Sequence, residues 1–211
     1  MKSLAKSYTA DDMQPLIALT FDDGPHESNS ERLLDMARER NIKLTFFVLG
    51  KCVVQHPHIV RRQIAENHEI GNHTWSHPRL SRTSLEEMRY ELEKTEEVIF
   101  SAGGGKTNLM RPPYGELTQR QREMAEQLGY RVVLWNVDPM DWKRPAPAAL
   151  SADIIRSVFS GCIVVAHDIH PTTIDAMPEV FDTLLARGFT FATVGELLRV
   201  GTARRPTFSS P

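Results

Sequence analysis

The stretch Ala18-Leu19-Thr20-Phe21-Asp22-Asp23-Gly24-Pro25 decides how the rest of the chain is interpreted. An apolar run from Leu16 to Leu19 predicts a buried strand, and Gly24-Pro25 ends that strand abruptly. Neighbouring side chains of a regular strand point to opposite faces, but the turn after a strand lets Asp22 and Asp23 face one cavity. Carboxylates held that close raise each other's proton affinity unless a cation or an arginine compensates. An ordinary acidic turn would use the same residues, so the other motifs decide between the two interpretations.

The composition is that of an ordinary globular protein. The chain has 211 residues, of which 41% are hydrophobic and 25% charged, enough for one domain with a full core. The formal net charge of −2, without a run of Lys or Arg, predicts no nucleic-acid partner. The apolar runs are strand-sized, so we expect no membrane span, and no signal peptide is recognisable. Cys52 and Cys162 lack metal-ligand spacing and are expected to be free thiols, with a single bridge as the alternative.

Strand-like and helix-like segments alternate along the whole chain. Strands are predicted at Leu16–Phe21, Lys43–Leu49, Glu69–Asn72, Asn108–Arg111, Arg131–Val137, Cys162–His167 and Phe189–Thr193. Helices are predicted at Ser30–Arg40, Ile59–Asn67, Ser84–Phe100, Thr118–Leu128, Ala148–Phe159 and Ile174–Arg187. This alternation indicates a parallel sheet, either a closed or nearly closed (β/α) barrel or an open doubly wound sheet. The barrel is favoured because polar residues cluster at the C-terminal ends of many different strands.

The second motif, His73-Thr74-Trp75-Ser76-His77, predicts a metal site. Its two histidines are four residues apart, so one helical turn or a compact loop brings both imidazoles to one face. Two imidazoles and a carboxylate are a common ligand set for zinc or a similar divalent ion. A pair of histidines at this spacing is often a surface coincidence, but the unexplained Asp pair favours the metal.

Three further motifs follow predicted strands. In Arg111-Pro112-Pro113-Tyr114-Gly115 the prolines stiffen a turn that can present an arginine side chain and a backbone N–H at fixed positions. Asp141 and Trp142 fall where a barrel strand opens into its loop. His167 ends an apolar strand, and its near-neutral reference pKa makes it a candidate general acid or base. A plain proline-rich turn, a capping aspartate with a packed tryptophan, and a core histidine remain the structural alternatives.

Together and in order, these motifs closely resemble those of the polysaccharide deacetylase family, the NodB-homology domain of carbohydrate esterase family 4. The resemblance runs from about Leu16 to Arg199. It implies an α/β fold, a single-domain distorted (β/α)7 barrel, and metal-dependent removal of acetyl groups from carbohydrates. We expect this catalytic domain over residues 15–201, between a lead segment, 1–14, and a loose tail, 202–211.

The resemblance makes Asp23, His73 and His77 the metal ligands. One carboxylate and two imidazoles leave open positions on an ion, as a catalytic site requires and a structural one does not. Zinc is expected, with cobalt, nickel or manganese as alternatives. Such an ion would also explain how two adjacent carboxylates can both stay charged.

The resemblance also makes Asp22 the general base, held ionised by Arg111, and His167 the general acid, oriented by Asp141. Asp22 would take the proton of a metal-activated water, and His167 would protonate the departing amine. These roles predict a bell-shaped dependence of the rate on pH.

Four residues would form the substrate site. The backbone N–H of Tyr114 would bind the oxyanion, Trp142 would form a wall of the acetyl pocket, and Pro113 and Val165 would complete it. The family usually has leucine at the position of Val165, so the exact shape of the pocket stays open.

The expected partner is an acetylated carbohydrate, namely N-acetylglucosamine units of peptidoglycan or of chitin-type oligosaccharides. An O-acetyl esterase acting on acetylxylan is the alternative substrate class, although an intact acid pair favours amides, because amines leave poorly unless protonated. A sugar-binding protein without catalysis and an unrelated metallohydrolase are further alternatives. We expect a monomer, and the family implies a secreted or cell-envelope location, with the cytoplasm as the alternative.

Overall fold

The computed structural model describes residues 15–203. The predicted lead segment, 1–14, and residues 204–211 of the predicted tail lie outside the described residues. The strands are β1 Leu16–Asp22, β2 Thr45–Val48, β3 Glu69–Asn72, β4 Leu109–Met110, β5 Arg131–Val132, β6 Ile163–His167 and β7 Thr190–Phe191. The α-helices are α1 Asn29–Glu39, α2 Gly50–Gln55, α3 Pro57–Ala65, α4 Leu85–Ser101, α5 Gln119–Gln127, α6 Pro147–Ser157, α7 Pro171–Ala186 and α8 Val194–Ala203. Short 3₁₀ turns lie at Leu80–Arg82, Pro113–Gly115 and Asp141–Lys143.

The strands form one parallel sheet that closes on itself. Their order is β5-β4-β3-β2-β1-β6, and β7 pairs with the beginning of β1. The two ends of this path are joined by a single parallel bridge between Val137, downstream of β5, and Val164 in β6. Because the two edges of the sheet meet only at this short seam, the barrel is distorted. The predicted (β/α)7 barrel is therefore confirmed, and the open doubly wound arrangement does not form.

The alternation of side chains along β1 decides what faces the inside of the barrel. Ile17, Leu19 and Phe21 pack in the large core that also contains buried residues of α1, α6 and α7. Ala18 belongs to a separate inner cluster, and Thr20 and Asp22 follow it on the same face of the strand. The inner face of the barrel therefore becomes polar toward the C-terminal end of β1.

Two helix starts show why the sequence prediction is close to the structure. Ser84 and Glu87 form a capping box at the start of α4, and Thr118 and Gln121 form another at the start of α5. In each box the hydroxyl accepts from a backbone N–H of the first turn, while the longer side chain accepts from the N–H of the capping residue. The capping residue is therefore where the predicted helix begins, one position before the observed one.

Some elements differ from the prediction. Helix α2 was not predicted because six residues directly after a strand are too few for apolar spacing to show. Helix α8 continues to Ala203, so the first two residues of the predicted tail are helical. The strand predicted at Arg131–Val137 pairs regularly only in β5, because the carbonyls of Val133 and Leu134 accept from the Arg111 guanidinium instead.

Two further observations concern the cysteines and the helices of the described residues. Cys52 and Cys162 are free thiols, as predicted. None of the helices between residues 15 and 203 combines the length and the apolar character that a membrane crossing needs.

Candidate active site

A cavity of about 460 Å³ lies at the C-terminal ends of the barrel strands. Most of the residues that the sequence predicts for the site line it, namely Asp22, Asp23, His73, His77, Tyr114, Trp142, Val165 and His167. Arg111 and Asp141 are fully buried behind the lining. Pro113 is buried in its turn and is not among the lining residues. Residues more than a hundred positions apart in the chain therefore share one site.

The end of β1 brings two adjacent carboxylates to the same cavity. Asp22 faces inward as the last residue of the strand, and Asp23 turns the chain with a φ of 73°. Gly24 must be a glycine here, because a Cβ atom would lie 2.4 Å from the Oδ1 atom of Asp168. The sequence-based expectation that the turn lets both carboxylates face one cavity is thus met by a left-handed residue.

Asp168 is a buried carboxyl group to which the sequence assigned no role. It accepts a hydrogen bond from the Ser30 hydroxyl, which in turn accepts from the backbone N–H of His26. Burial raises the pKa of Asp168 to about 7; the Ser30 hydroxyl opposes this and the charge of Asp23 adds to it. Asp168 thereby connects the end of β6 to the turn that carries Asp23.

Asp23, His73 and His77 form a compact cluster of possible metal ligands. One ligand atom of each lies within 4.8 Å of the others. The Nε2 atoms of His73 and His77 lie 3.4 and 3.3 Å from the Oδ1 atom of Asp23. This oxygen is buried and accepts no hydrogen bond from the described residues. A cation between the three groups would satisfy it.

The orientation of His73 fits a metal ligand. Its Nδ1 atom lies 2.8 Å from the carbonyl oxygen of Arg111. Because a carbonyl can only accept, Nδ1 carries a proton and Nε2 is the ring nitrogen that faces Asp23. A histidine that donates its other ring N–H to a carbonyl is typical of metal ligands.

His77 reaches the cluster through a strained loop. Thr74 and His77 both have left-handed backbones, with φ values of 74° and 63°. The His77 N–H donates to the Thr74 hydroxyl over 3.2 Å. The Tyr114 ring packs edge-on against the His77 ring, with centroids 4.7 Å apart. The predicted spacing thus works as a compact loop and not as a helical turn.

The imidazoles shift the titration of the carboxylate that they face. Burial alone would raise the pKa of Asp23, but the neighbouring His73 and His77 outweigh it and lower that pKa to about 2. Burial lowers the pKa of His77, which Asp23 opposes. The low pKa of Asp23 favours an ionised carboxylate, and the lowered pKa of His77 favours a neutral ring; divalent ions require both.

Arg111 pairs with Asp22 as the resemblance implied. One of its terminal nitrogens lies 2.7 Å from Asp22 Oδ1 and 2.7 Å from the Thr20 hydroxyl. The guanidinium also lies 4.1 Å from the centre of the Phe47 ring. Burial lowers the pKa of Arg111, and Asp22 opposes that effect. Arginine titrates so far above neutrality that it stays charged.

At the end of β6, which pairs with β1, Asp141 holds His167. The Nδ1 atom of His167 lies 2.7 Å from Asp141 Oδ1, and the His167 backbone N–H donates to Asp141 Oδ2 over 2.7 Å. The Thr173 hydroxyl donates to the same oxygen over 2.8 Å. Burial lowers the pKa of His167, but the hydrogen bond and charge of Asp141 outweigh it and raise that pKa to about 9. His167 is therefore protonated at neutral pH.

The rim of the cavity is aromatic and partly polar. Tyr114 and Trp142 keep 53% and 52% of their surface exposed, whereas Val165 is buried. Trp135, Asp138 and His170 also line the cavity. His170 was expected at the rim, whereas Trp135 and Asp138 had no predicted role there. The signal that could have found Trp135 and Asp138 is their position downstream of β5, where barrel loops carry functional residues.

Curated proteins share much of this sequence. Residues 9–133 match the family model described as polysaccharide deacetylase. The peptidoglycan-N-acetylglucosamine deacetylase PgdA of Listeria monocytogenes is 38% identical over 181 residues, covering 86% of this chain and 38% of that protein. The peptidoglycan-N-acetylmuramic acid deacetylase PdaC of Bacillus subtilis is 37% identical over 198 residues, covering 94% of this chain and 42% of that protein. The chain thus spans about two fifths of the length of both relatives.

Solved structures share the fold. The structure of PdaC superimposes with a TM-score of 0.86 at 36% identity, covering 90% of this chain and 93% of that chain. A Bacillus anthracis protein described as a pseudoenzyme of carbohydrate esterase family 4 has a TM-score of 0.82 at 27% identity, covering 89% of this chain and 70% of that chain. Because the fold also occurs in a pseudoenzyme, the site residues and not the fold must carry a functional argument.

Proposed function

The chain belongs to the polysaccharide deacetylase family, and we propose that it hydrolyses the N-acetyl group of N-acetylglucosamine units in peptidoglycan or chitin-type oligosaccharides. One observation carries the proposal. A paired carboxylate, Asp22, and a paired imidazole, His167, line the same cavity as the unsatisfied cluster around Asp23. A base, an acid and a cation site are the parts that acyl transfer from nitrogen needs.

Asp23, His73 and His77 would hold the divalent cation. Their donor set of one carboxylate and two imidazoles suits zinc, and cobalt, nickel or manganese can use the same donors. When bound, such an ion supplies Lewis-acid chemistry, lowering the pKa of water and polarising an acyl carbonyl. The unsatisfied Asp23 oxygen and the position of His73 Nε2, 3.4 Å from it, support this assignment.

Asp22 would act as the general base. Arg111 fixes its position by a hydrogen bond to Asp22 Oδ1, and the Thr20 hydroxyl, which accepts from the same Arg111 nitrogen, helps to fix the guanidinium. Asp22 takes a proton from the attacking water as the bond between the water oxygen and the acetyl carbon forms.

Tyr114 would stabilise the oxyanion through its backbone N–H. Its φ of 60° is unusual for a residue with a side chain and fixes the direction of that N–H. The Tyr114 ring is held between the His77 ring and the Arg79 guanidinium, which lies 4.3 Å from the ring centre. A preorganised donor of this kind contributes about 10²–10³ in rate.

His167 would act as the general acid. It gives a proton to the departing nitrogen as the bond between carbon and nitrogen breaks, so the products are acetate and a free amine. Asp141 keeps His167 protonated and fixes its ring. Trp142, at the mouth of the cavity, and Val165, in its wall, would enclose the acetyl group.

The names of the relatives support an amide substrate in the cell wall. PgdA and PdaC are named for N-acetylglucosamine and N-acetylmuramic acid of peptidoglycan. The paired acid His167 points the same way, because an ester would not need a strong proton donor. We therefore assign the activity to the cell envelope.

Acetate release tests the proposal. Purified protein is incubated with N-acetylglucosamine oligomers, peptidoglycan and acetylxylan, before and after removal of metal with a chelator. We expect acetate from an N-acetylated substrate, its loss on chelation, and recovery on addition of zinc. Faster release from acetylxylan would favour the esterase. Full activity without metal would show that the reaction needs no cation. No release from any substrate would favour a pseudoenzyme.

A further inference from the structure

The loop that carries both histidines, residues 73–77, is tied to the rest of the barrel by the buried side chain of Asn72. This residue ends β3 and is fully buried. Its Oδ1 atom accepts from the Thr74 N–H over 2.9 Å. Its Nδ2 atom donates to the Leu92 carbonyl over 2.9 Å and to the Tyr130 hydroxyl over 3.1 Å. Because both N–H groups of the amide are directed at Leu92 and Tyr130, the amide oxygen points to the loop.

Tyr130 has one proton to give, and that proton is directed away from Asn72. The Tyr130 hydroxyl donates to Glu96 over 2.9 Å, and Glu96 is itself held by the Thr107 N–H and hydroxyl at 2.6 and 2.7 Å. Burial and the charge of Glu96 raise the pKa of Tyr130, so the phenol stays protonated. The hydroxyl oxygen is therefore an acceptor for Asn72, and the chain of hydrogen bonds has a single direction.

The backbone that Asn72 holds is the strained part of the loop. Thr74 has a φ of 74°, which a β-branched residue adopts only when its surroundings impose it. The Thr74 carbonyl accepts from the Gly50 N–H over 3.0 Å, and its hydroxyl accepts from the His77 N–H. If the Asn72 amide turns, the contact that holds Thr74 is lost, and the positions of both histidines change with it.

Glu91, on α4, accepts from the Trp75 and Ser76 N–H groups and holds the loop directly. Tyr130 reaches the loop by hydrogen bonds through Asn72. It does not line the active-site cavity; with Glu96 and Leu128 it lines a separate cavity of about 510 Å³. We propose that Tyr130 is a positioning residue for the ligand pair His73 and His77, because its hydroxyl takes the second N–H of Asn72 and keeps the amide oxygen on the Thr74 N–H. The inference rests on the proposed function in one respect, that the two histidines hold a cation.

Tyr130→Phe removes the hydroxyl and keeps the ring. Ser151→Ala is the matched control, since Ser151 is also a buried hydroxyl that donates to a glutamate, Glu179, over 2.5 Å, but between α6 and α7. Two quantities are measured for folded protein: amide hydrogen exchange of residues 73–77 without metal, and the Kd for zinc by competition with a chelator. Glu96→Gln, which weakens the acceptor of Tyr130, serves as a second variant.

We expect Tyr130→Phe to speed exchange in the loop and to weaken zinc binding by about 10-fold, the lower end of what supporting residues contribute. Glu96→Gln should change both in the same direction, and Ser151→Ala should leave both at the wild-type value. Equal effects of Tyr130→Phe and Ser151→Ala, or no effect of Tyr130→Phe, would overturn the inference. If wild-type protein binds no zinc, the proposed function fails, while the exchange data still decide whether Tyr130 positions the loop.

Discussion

Two largely buried ion pairs each place one side chain in the lining of the cavity, and they differ in which partner can change its charge. Asp22 pairs with Arg111 and Asp141 with His167, and the nitrogen–oxygen distance is 2.7 Å in both. An arginine keeps its charge at any working pH, so the first pair presents a carboxylate that can accept a proton. A histidine titrates near neutrality, so the second pair presents a proton that can be given away. The same contact therefore supports opposite proton transfers.

A third pair on the surface shows what burial adds. Arg32 and Asp175 also lie 2.7 Å apart, but their side chains are 52% and 47% exposed. Exposed pairs of this kind contribute about 0–1 kcal/mol, whereas removing one partner of a buried pair costs about 3–5 kcal/mol. Substituting the same residue types in the buried and the exposed pairs separates the two effects.

The largest expected effect comes from breaking the first pair at its carboxylate. Asp22→Asn keeps the shape but cannot accept the proton of water, so we expect kcat to fall by about 10³-fold or more. The Kd for zinc should stay near the wild-type value, because Asp22 is not in the ligand cluster. Acetate release and zinc titration measure the two quantities. Asp175→Asn is the control, and a variant of Asp22 with near wild-type kcat would remove its role as base.

Breaking the same pair at its cation tests burial. Arg111→Met leaves Asp22 buried without a partner, so the free energy of unfolding should fall by about 3–5 kcal/mol. Arg32→Met, in the exposed pair, should lower it by less than about 1 kcal/mol. Denaturant titration measures both. Equal losses for the two variants would show that burial does not distinguish the pairs.

The pair of Asp141 and His167 should determine the alkaline side of the pH dependence of the rate. Asp141 raises the pKa of His167 to about 9, and the rate needs His167 protonated, so activity should fall as pH rises toward that value. A cation held by Asp23 would lower the pKa of His167 somewhat, because it offsets the charge of Asp23. Asp141→Asn removes the largest of the contributions that raise this pKa and leaves only the charges of Asp22 and Asp23 against burial, so the alkaline limb of kcat/KM should move down by about 2 pH units. An unchanged limb would contradict the role given to Asp141.

The same shift has a consequence for stability. Because the folded-state pKa of His167 lies above its ordinary value of 6.5, the pair stabilises the protein fully below about pH 6.5. That contribution is lost as pH rises through about 9. Denaturant titrations between these pH values should show a smaller decrease in the free energy of unfolding for Asp141→Asn than for wild type, because the variant lacks the ion pair.

The smallest expected effect is the difference in how much His167→Ala slows the cleavage of two substrates with different leaving groups. His167→Ala should slow cleavage of an N-acetyl substrate more than cleavage of an activated aryl acetate, whose leaving group needs little protonation. We expect the two losses to differ by about 10-fold or more. The comparison uses kcat/KM for both substrates with one preparation. Equal losses would argue that His167 supports the site without donating a proton.

The sequence predicts the fold well wherever the pattern is local. The apolar run of β1, the alternating helices and the capping residues Ser84 and Thr118 all appear in the structure close to their predicted positions. The sequence favours a barrel but does not show where it closes, because closure depends on one bridge between Val137 and Val164. β5 ends early because the Arg111 guanidinium donates hydrogen bonds to the carbonyls of Val133 and Leu134, which would otherwise be available for pairing in the sheet.

The site was predictable in its residues but not in its backbone. Motifs and a family resemblance pointed to the carboxylates and histidines that meet in the cavity. The left-handed backbones of Asp23, Thr74 and Tyr114 had no signal, because non-glycine residues adopt them only under tertiary contacts. The hydrogen bond between Asn72 and Tyr130 joins residues 58 positions apart, which no local pattern encodes.

The central claim is that Asp23, His73 and His77 hold one divalent cation in the cavity. Anomalous diffraction at the zinc absorption edge, from crystals grown with zinc, tests it most directly. If these three residues are the ligands, one strong peak lies about 2.0–2.2 Å from an Asp23 oxygen and from the Nε2 atoms of both histidines. No peak there, or zinc only at surface histidines such as His56 and His58, would contradict it.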